Sequence, residues 1–463
     1  MTGSFAGRRA VVIGFGASGR AAATALLRKG AEVRVSEARS EAEVRAARSE
    51  IRAPDVEVVY GGHAPEHLSG ATLVVVSPGV PEGAPVIAWA RERGIPVWSE
   101  LELGARLCRA PVVAVTGTNG KTTTTELVAA SMRADGLSAR ACGNVGYPFS
   151  LAATEGFDAL AVEASSFQLR FTETFRPKVS VLLNLSPDHL DWHGSFERYV
   201  AAKARIHARQ GPGDVHVGNR DDPRAAALSA GATCEVRWFR QGRPGPGEIG
   251  VGPGSVVLGE GRGMRELARP ATSTRPFLID CAAAAAAGLA FDLDVRAVAA
   301  TLAAAEPGPH RGSVVAEAGA VRFVDDSKAT NPHATLAALE GAADVVLIAG
   351  GLAKGVDLTP LATAAESLRA VVAMGEAGPM VAEVFAGLVP VEPAGSIEDA
   401  VEIAYGRAVP DGTVLLAPAC ASQDMFRDYR ERGDRFADAA RALVRRRSGG
   451  DHVDASTTRR SHA

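Results

Sequence analysis

The chain has 463 residues, and at roughly 100 to 200 residues per domain it is sized for two to four domains rather than one core. Fifty lysines and arginines face 53 acids for a formal net charge of -3, so no global cationic excess exists to condense on nucleic acid or anionic lipid. A composition of 46% hydrophobic and 22% charged residues suits buried cores and excludes wholesale disorder.

The N-terminal run MTGSFAGRRAVVIG passes directly into a strand without an apolar signal segment, and no stretch of about 18 uninterrupted apolar residues follows. Five scattered cysteines without paired spacing argue against a disulfide framework or a zinc site and for a reducing compartment. The expectation is a cytoplasmic, non-membrane protein. Short β-branched runs recur at 10–14, 73–77, 111–116, 159–163, 179–184, 344–349, 370–374 and 413–416, most followed by an alanine-rich helical stretch. Strand alternating with helix predicts α/β architecture with parallel sheets covered on both faces. Residues 238–276 break the alternation with Gly, Pro and Arg, which predicts loops and a small β-rich insert. Boundaries near 108 and 308 divide the chain into domains at 1–108, 109–308 and 309–447, with a polar, aperiodic, disordered tail at 448–463.

Two strand-to-helix turns carry the signature of phosphate binding. In the first, residues 10–13 run into Gly14, Gly16 and Gly19, and Glu37 ends the next strand. Glycines let backbone amides at a helix N-terminus approach a diphosphate, and an acid at the second strand end can accept from ribose or base. A nucleotide is expected there; the motif does not choose between a nicotinamide dinucleotide and a nucleotide sugar, and a tight turn without ligand remains the bland alternative. Ser77, Pro78 and Gly79 follow the strand beginning at Leu73 and form a second loop over the same sheet edge.

In the second, PVVAVTGTNGKTTTT spans 111–125. Lys121 can reach terminal phosphate oxygens, the amides of Gly117, Thr118, Asn119 and Gly120 can cradle the others, and the Thr122 hydroxyl can ligate Mg²⁺. Val115 stands where the first glycine of the common phosphate-loop pattern would be. One nucleotide suffices for a dehydrogenase, whereas two phosphate sites suit an enzyme that spends ATP on a nucleotide-linked substrate.

From TGTNGKT onward the chain resembles the Mur ligases of peptidoglycan synthesis. GNVG at 143–146, EASSFQL at 163–169, NLSPDHLD at 184–191, AAKARI at 201–206, His310-Arg311, DDSKATN at 325–331, GGLAKGVD at 350–357 and PACASQDMFRDYRERGDRF at 418–436 occur in that family's order. The resemblance covers residues 8–445. It implies a Rossmann-like N-terminal domain, a P-loop-type central ATPase domain and a Rossmann-like C-terminal domain. EASSFQL, DSKATN and ACAS further resemble the branch that adds D-glutamate to UDP-N-acetylmuramoyl-L-alanine; the L-alanine-adding branch typically begins its loop Gly-Thr-His, where this chain has Asn119.

The implied chemistry transfers the γ-phosphoryl of ATP to a carboxylate, and an amine attacks the acyl phosphate. Bringing triphosphate and carboxylate together calls for cations, hence Lys121 and a pair of Mg²⁺ ions. The resemblance assigns Thr122 and Glu163 to one ion, and His189 and a CO₂-carbamylated Lys203 to the other. Carbamylation needs a neutral amine, which burial favours. Thr123, Arg311 and Asp326 are assigned to ATP. Phe15, Gly16, Glu37, Arg39, the Ser77–Gly79 loop, Asn144, Ser165, Gln168 and His189 are assigned to the nucleotide sugar. Lys328, Thr330, Lys354, Ser422 and Tyr429 are assigned to the incoming D-glutamate, whose two carboxylates need cations and hydroxyls. The implied enzyme is a monomer.

Three departures stand out. Relatives have Asp-Thr-Arg where this chain has Glu37, Ala38 and Arg39, and Phe where it has Tyr429. Relatives also carry Gly-x-His-Asn-x-x-Asn at a helix start that contacts adenine; here Pro276 and Phe277 fall near His-Asn, and Asp280 falls near the last Asn. Two alternatives remain at this stage: a nicotinamide oxidoreductase using only the first loop, and a ligase-derived regulatory protein with altered adenine contacts.

Overall fold

The computed structural model describes residues 5–46, 51–272 and 274–450. Three sheets are built in chain order, each fed by β-branched runs and covered by helices, as the alternating pattern requires. The first has strands β1 (Arg9–Ile13), β2 (Glu32–Ser36), β3 (Glu57–Val59), β4 (Leu73–Val76) and β5 (Val97–Ser99) in the order β3-β2-β1-β4-β5. All its pairings are parallel. The order reverses between β1 and β4, the switch point at which open α/β sheets bind ligands beyond their strand ends.

The second sheet contains β6 (Val112–Thr116), β7 (Ala139–Gly143), β8 (Ala159–Glu163), β9 (Val179–Leu182), β10 (Val215–Asn219), β11 (Glu235–Gln241), β12 (Ile249–Gly252), β13 (Ser255–Glu260) and β14 (Gly263–Ala268), in the order β14-β13-β12-β11-β10-β9-β6-β8-β7. From β7 to β12 it is parallel, and β12 to β14 form an antiparallel meander. The expected insert is β-rich, and it continues this sheet through the β11–β12 pairing. Its Val256 and Leu267 join the same core as Val113, Phe277 and the alanines of the helix Arg275–Ala290. Alanine there lets the helix lie close on the sheet with little side-chain entropy to lose.

The third sheet contains β15 (Ser313–Ala318), β16 (Val321–Asp325), β17 (Val345–Gly350), β18 (Leu368–Met374), β19 (Val391–Ala394) and β20 (Thr413–Ala419), in the order β15-β16-β20-β17-β18-β19. Only the β15–β16 pair is antiparallel. The chain closes with the helix Tyr429–Gly450, which continues past the tail start expected at residue 448; residues 451–463 lie outside the described residues. Among the described residues all five cysteines are free and no helix is long and apolar enough to cross a membrane.

Two compact units result. One comprises residues 1–185 and 192–306 and holds the first two sheets; the other comprises 186–191 and 307–463 and holds the third.

Candidate functional site

In the first unit, the β1 turn is a close-packed loop. Gly14 has φ +87, and a Cβ on Gly19 would lie 2.0 Å from the Gly14 carbonyl oxygen, so the helix Ala17–Arg28 can approach the strand only with glycine there. Ser77, at the end of β4, donates from Oγ to the same carbonyl at 3.2 Å, and Val80 N–H closes a turn over Pro78 and Gly79 onto Ser77 O. The Ser-Pro-Gly loop and the glycine loop therefore meet, as the sequence suggested. Gly16 caps the helix without a side-chain bond.

Glu37 is committed differently from the sequence reading. Its carboxylate accepts from the Phe15 amide at 2.6 Å, and from Arg39 through N, Nε and Nη2 at 3.0, 3.0 and 2.9 Å. Burial pushes its pKa up, but these donors outweigh it and bring the group down to about 2. The Phe15 amide assigned to diphosphate is thus spent on Glu37. The Gly16 end of the loop is left for an anion.

Around the β6 turn, Lys121 donates from Nζ to the carbonyls of Gly117 and Thr118 at 3.0 and 2.7 Å. Lys203, 1% exposed, reaches the same Gly117 carbonyl at 2.7 Å. Two lysine side chains thus converge on one oxygen of the loop, with Lys121 placed to exchange that carbonyl for a phosphate oxygen. Thr118 and Asn119 amides are pinned to Asn184 O and Oδ1 at 2.9 and 2.8 Å, and Thr118 Oγ1 pairs with the Tyr199 hydroxyl at 2.9 Å. Thr122 and Thr123 lie in the first turn of the helix Lys121–Ala134, Thr122 half-buried and Thr123 buried. Gly120 has φ +84, and a Cβ on it would stand 2.1 Å from Asp280 Oδ1. Asp280 therefore sits directly on the phosphate loop, while Phe277 points into the core and Pro276 is exposed.

Glu163 ends β8 in register with Val115 of β6, which places a 3%-exposed carboxylate beside the loop-bearing strand. Asn144 Nδ2 donates to its Oε1 at 2.9 Å. Ser165 and Gln168 form a capping box on the helix Ser166–Arg170, and Gln168 Nε2 is buried without a hydrogen-bond partner. A carboxylate and the Thr122 hydroxyl are hard oxygen donors, the set Mg²⁺ accepts when phosphate oxygens complete its shell. Lys203 as a free amine is a donor, so it fits a metal only after conversion to a carbamate.

In the second unit, His189 has φ +53, and its amide donates to Asp188 Oδ1 at 2.9 Å; its Nε2 lies 3.7 Å from Asp188 Oδ2. Lys328 donates to the Tyr429 hydroxyl at 2.9 Å and lies 4.2 Å over that ring. The hydroxyl absent from the Phe of relatives is thus a fixed partner of this lysine. Thr330 N–H closes a turn onto Lys328 O, Lys354 takes a left-handed φ of +53, and Ser422 is buried under Phe426 N–H. Reciprocal Leu352–Ala421 backbone bonds of 2.9 and 3.0 Å tie the Lys354 loop to the Ser422 loop. Burial raises the Asp326 carboxyl to about 7; Arg311 opposes the rise and Asp325 adds to it.

Comparison with known proteins bears on what these loops serve. The family model for the Mur ligase MurD-like N-terminal domain matches residues 8–99, that for the Mur ligase middle domain 115–242, and that for the Mur ligase glutamate ligase domain 310–420. A UDP-N-acetylmuramoylalanine–D-glutamate ligase from Frankia casuarinae is 46% identical over 95% of both chains. The chain belongs to the Mur ligase family. A second such ligase, from Pelotomaculum thermopropionicum, is 39% identical over 96% of this Mur ligase and 99% of its own length. The MurF ligase of Thermotoga maritima, solved in complex with ADP, shares the fold at a TM-score of 0.58 and 19% identity, covering 96% of this chain and 98% of that one.

Several residues of this Mur ligase acquire importance only from its tertiary structure. Arg432, 1% exposed, donates to Ser327 Oγ and O at 3.0 and 2.9 Å and to the carbonyls of Cys420 and Ala421 at 3.2 and 3.4 Å. It joins the DSKATN and ACAS loops. The readable signal was an arginine at the apolar spacing of Phe436, Ala440 and Leu443 on its helix. Glu82, just beyond the Ser-Pro-Gly turn, accepts from Arg170 at 2.5 and 2.8 Å, Arg91 at 3.3 Å and Arg198 at 3.2 Å. No local pattern marks it.

Proposed function

We propose that this Mur ligase is an ATP-dependent amide-forming enzyme that adds D-glutamate to UDP-N-acetylmuramoyl-L-alanine through an acyl phosphate, acting as a cytoplasmic monomer in peptidoglycan precursor synthesis. The observation that carries the reading is the placement of Lys121 on the glycine loop with the buried Glu163 and the buried Lys203 beside it, a cation for phosphate oxygens next to two positions that can supply carboxylate-type oxygens to Mg²⁺. Such a cluster is what a triphosphate approached by a carboxylate requires. Full-length similarity to two D-glutamate ligases supports the substrate pair and weighs against the oxidoreductase alternative.

In this reading the three domains at 1–108, 109–308 and 309–447 take the nucleotide sugar, ATP and the amino acid. Gly117, Thr118, Asn119, Gly120, Lys121, Thr122 and Thr123 form the loop around the triphosphate, the Thr118 and Asn119 amides fixing its shape through Asn184, with Asp280, Arg311 and Asp326 completing the ATP contacts. Lys121 exchanges its loop carbonyls for phosphate oxygens. The glycine loop, Arg39, Ser77, Pro78, Gly79, Asn144, Ser165 and Gln168 bind the nucleotide sugar, Glu37 holds the Phe15 amide and Arg39 in place beside it, and the unpartnered Gln168 amide supplies a donor for its muramoyl arm. Thr122 and Glu163 hold one Mg²⁺, and His189 with carbamylated Lys203 holds a second; the ions supply neutralising charge to the phosphates. Lys328, Thr330, Lys354, Ser422 and Tyr429 pair the two carboxylates of D-glutamate, leaving its amine free to attack.

The decisive experiment is phosphate release from ATP over a panel of amino acids with UDP-N-acetylmuramoyl-L-alanine. Release dependent on D-glutamate is expected; silence with that pair and turnover with another amino acid would reassign the chain to a sister activity. Loss of turnover in Lys203→Ala, partly restored by short carboxylic acids, tests the carbamate.

A further inference from the structure

Ser36 and two histidines form a hydrogen-bond chain whose proton positions follow from geometry. The Ala64 amide donates to His67 Nδ1 at 3.3 Å, so that nitrogen carries a lone pair. Ser36 Oγ, 2.8 Å from the same nitrogen, gives its single proton there. Ser36 Oγ also lies 2.8 Å from His63 Nδ1, which must then be the donor because the hydroxyl proton is spent. His63 is therefore the Nδ1–H tautomer, with Nε2 as an acceptor. Burial depresses the ring's pKa against the pull of the Glu37 carboxylate, and His67 lowers it further, which favours the neutral form.

His63 stands at the edge where a nucleoside is expected. Gly62 N–H donates to Glu37 O at 3.2 Å and Gly61 N–H to Arg39 O at 3.1 Å, which lays the His63 segment alongside the residues that follow β2. In sheets of this kind the nucleoside lies beyond the end of that strand. The acid at that place has no capacity left: the amides of Phe15 and Arg39 and two guanidinium nitrogens of Arg39 fill the four lone-pair sites of Glu37. An N–H donor on the base needs another acceptor.

We propose that His63 reads the base of the nucleotide sugar, its Nε2 accepting the N3–H of uracil and rejecting cytosine, whose N3 is itself an acceptor. The inference rests on the assignment of the nucleotide sugar to the N-terminal domain. A site built to accept a hydrogen bond discriminates strongly against a ligand that cannot donate one. The cost of two opposed acceptors is about tenfold or more in affinity.

The test uses the full-length enzyme, with UDP and CDP as competitors of UDP-N-acetylmuramoyl-L-alanine in the phosphate-release assay. Wild type should be inhibited about tenfold more tightly by UDP than by CDP. His63→Leu should lose that preference through weaker UDP inhibition and a raised KM for the nucleotide sugar, with thermal unfolding near wild type. His63→Gln, whose amide oxygen restores an acceptor, should recover part of it. An unchanged UDP-to-CDP ratio in His63→Leu overturns the inference while leaving the nucleotide-sugar assignment intact. Failure of both nucleotides to compete overturns the two together.

Discussion

Glu37→Gln tests the reassignment of the β2 acid from ligand contact to loop architecture. The carboxylate falls from 4.5 to about 2 because four donors outweigh its burial. A shift of that size is about 3 kcal/mol of preference for the charged form. Arg39, whose side chain is 43% exposed, is screened by solvent, which reduces the expected contribution to about 2 kcal/mol. Because the folded pKa lies below the unfolded one, the stabilisation is fully present above pH 4.5 and is lost as pH falls toward 2. Glu37→Gln should therefore unfold at lower urea than wild type at pH 7, by the equivalent of about 2 kcal/mol. The gap should narrow steadily below pH 4.5. Trp98, buried in the same domain, supplies a fluorescence signal for that transition. A gap of equal size at pH 7 and pH 3 would refute the reasoning, because it would not depend on the carboxylate charge. The variant should also raise KM for the nucleotide sugar, since Phe15 N–H loses the oxygen that orients its loop.

Arg432→Met removes a donor from four buried acceptors, of which only Ala421 O keeps another, the Leu352 amide, and should cost about 3 kcal/mol; KM for D-glutamate should rise about tenfold with KM for the nucleotide sugar unmoved, and Arg432→Lys should recover part of the loss. Parallel movement of both KM values would show a general structural defect instead. Gly120→Ala places a methyl 2.1 Å from Asp280 Oδ1 at a φ of +84, so ATP turnover should collapse; adding Asp280→Ala should relieve the clash but not the backbone strain of about 1–2 kcal/mol. Full turnover in the single variant would contradict the geometry. Glu82→Gln releases three arginines whose side chains are 36% to 61% exposed and should lower stability by about 1 kcal/mol at low salt. The deficit should shrink as salt rises, and a salt-independent deficit in thermal melts would point to packing.

Much of the local chemistry was readable along the chain. Both glycine turns announced themselves because the constraint is short-range: Gly14 and Gly120 occupy left-handed backbone, and a Cβ on Gly19 would collide with a carbonyl five residues earlier. The parallel α/β class followed from the alternation of β-branched and alanine-rich runs. The β-rich segment near 238–276 was legible as strand, yet its attachment to the central sheet, β12 on β11 and β11 on β10, depends on which hydrogen bonds residues distant in sequence leave open. Backbone spacing cannot carry that information.

Hydrogen-bond capacity was decided only in three dimensions. Glu37 was visible as an acid at a strand end, but its saturation by Phe15 and Arg39 depends on how two loops fold over one sheet edge. Tyr429 read as an aromatic substitute, whereas its hydroxyl fixes Lys328. Arg432 and Glu82 gather partners from segments far apart in sequence, and His63 gained a defined tautomer only once Ser36 and Ala64 were beside it and His67. The sequence determines which groups can donate, accept or carry charge, because that is a property of each residue. Tertiary structure decides which of those capacities are already used and which remain for a ligand, because a lone pair filled by a neighbour is no longer available.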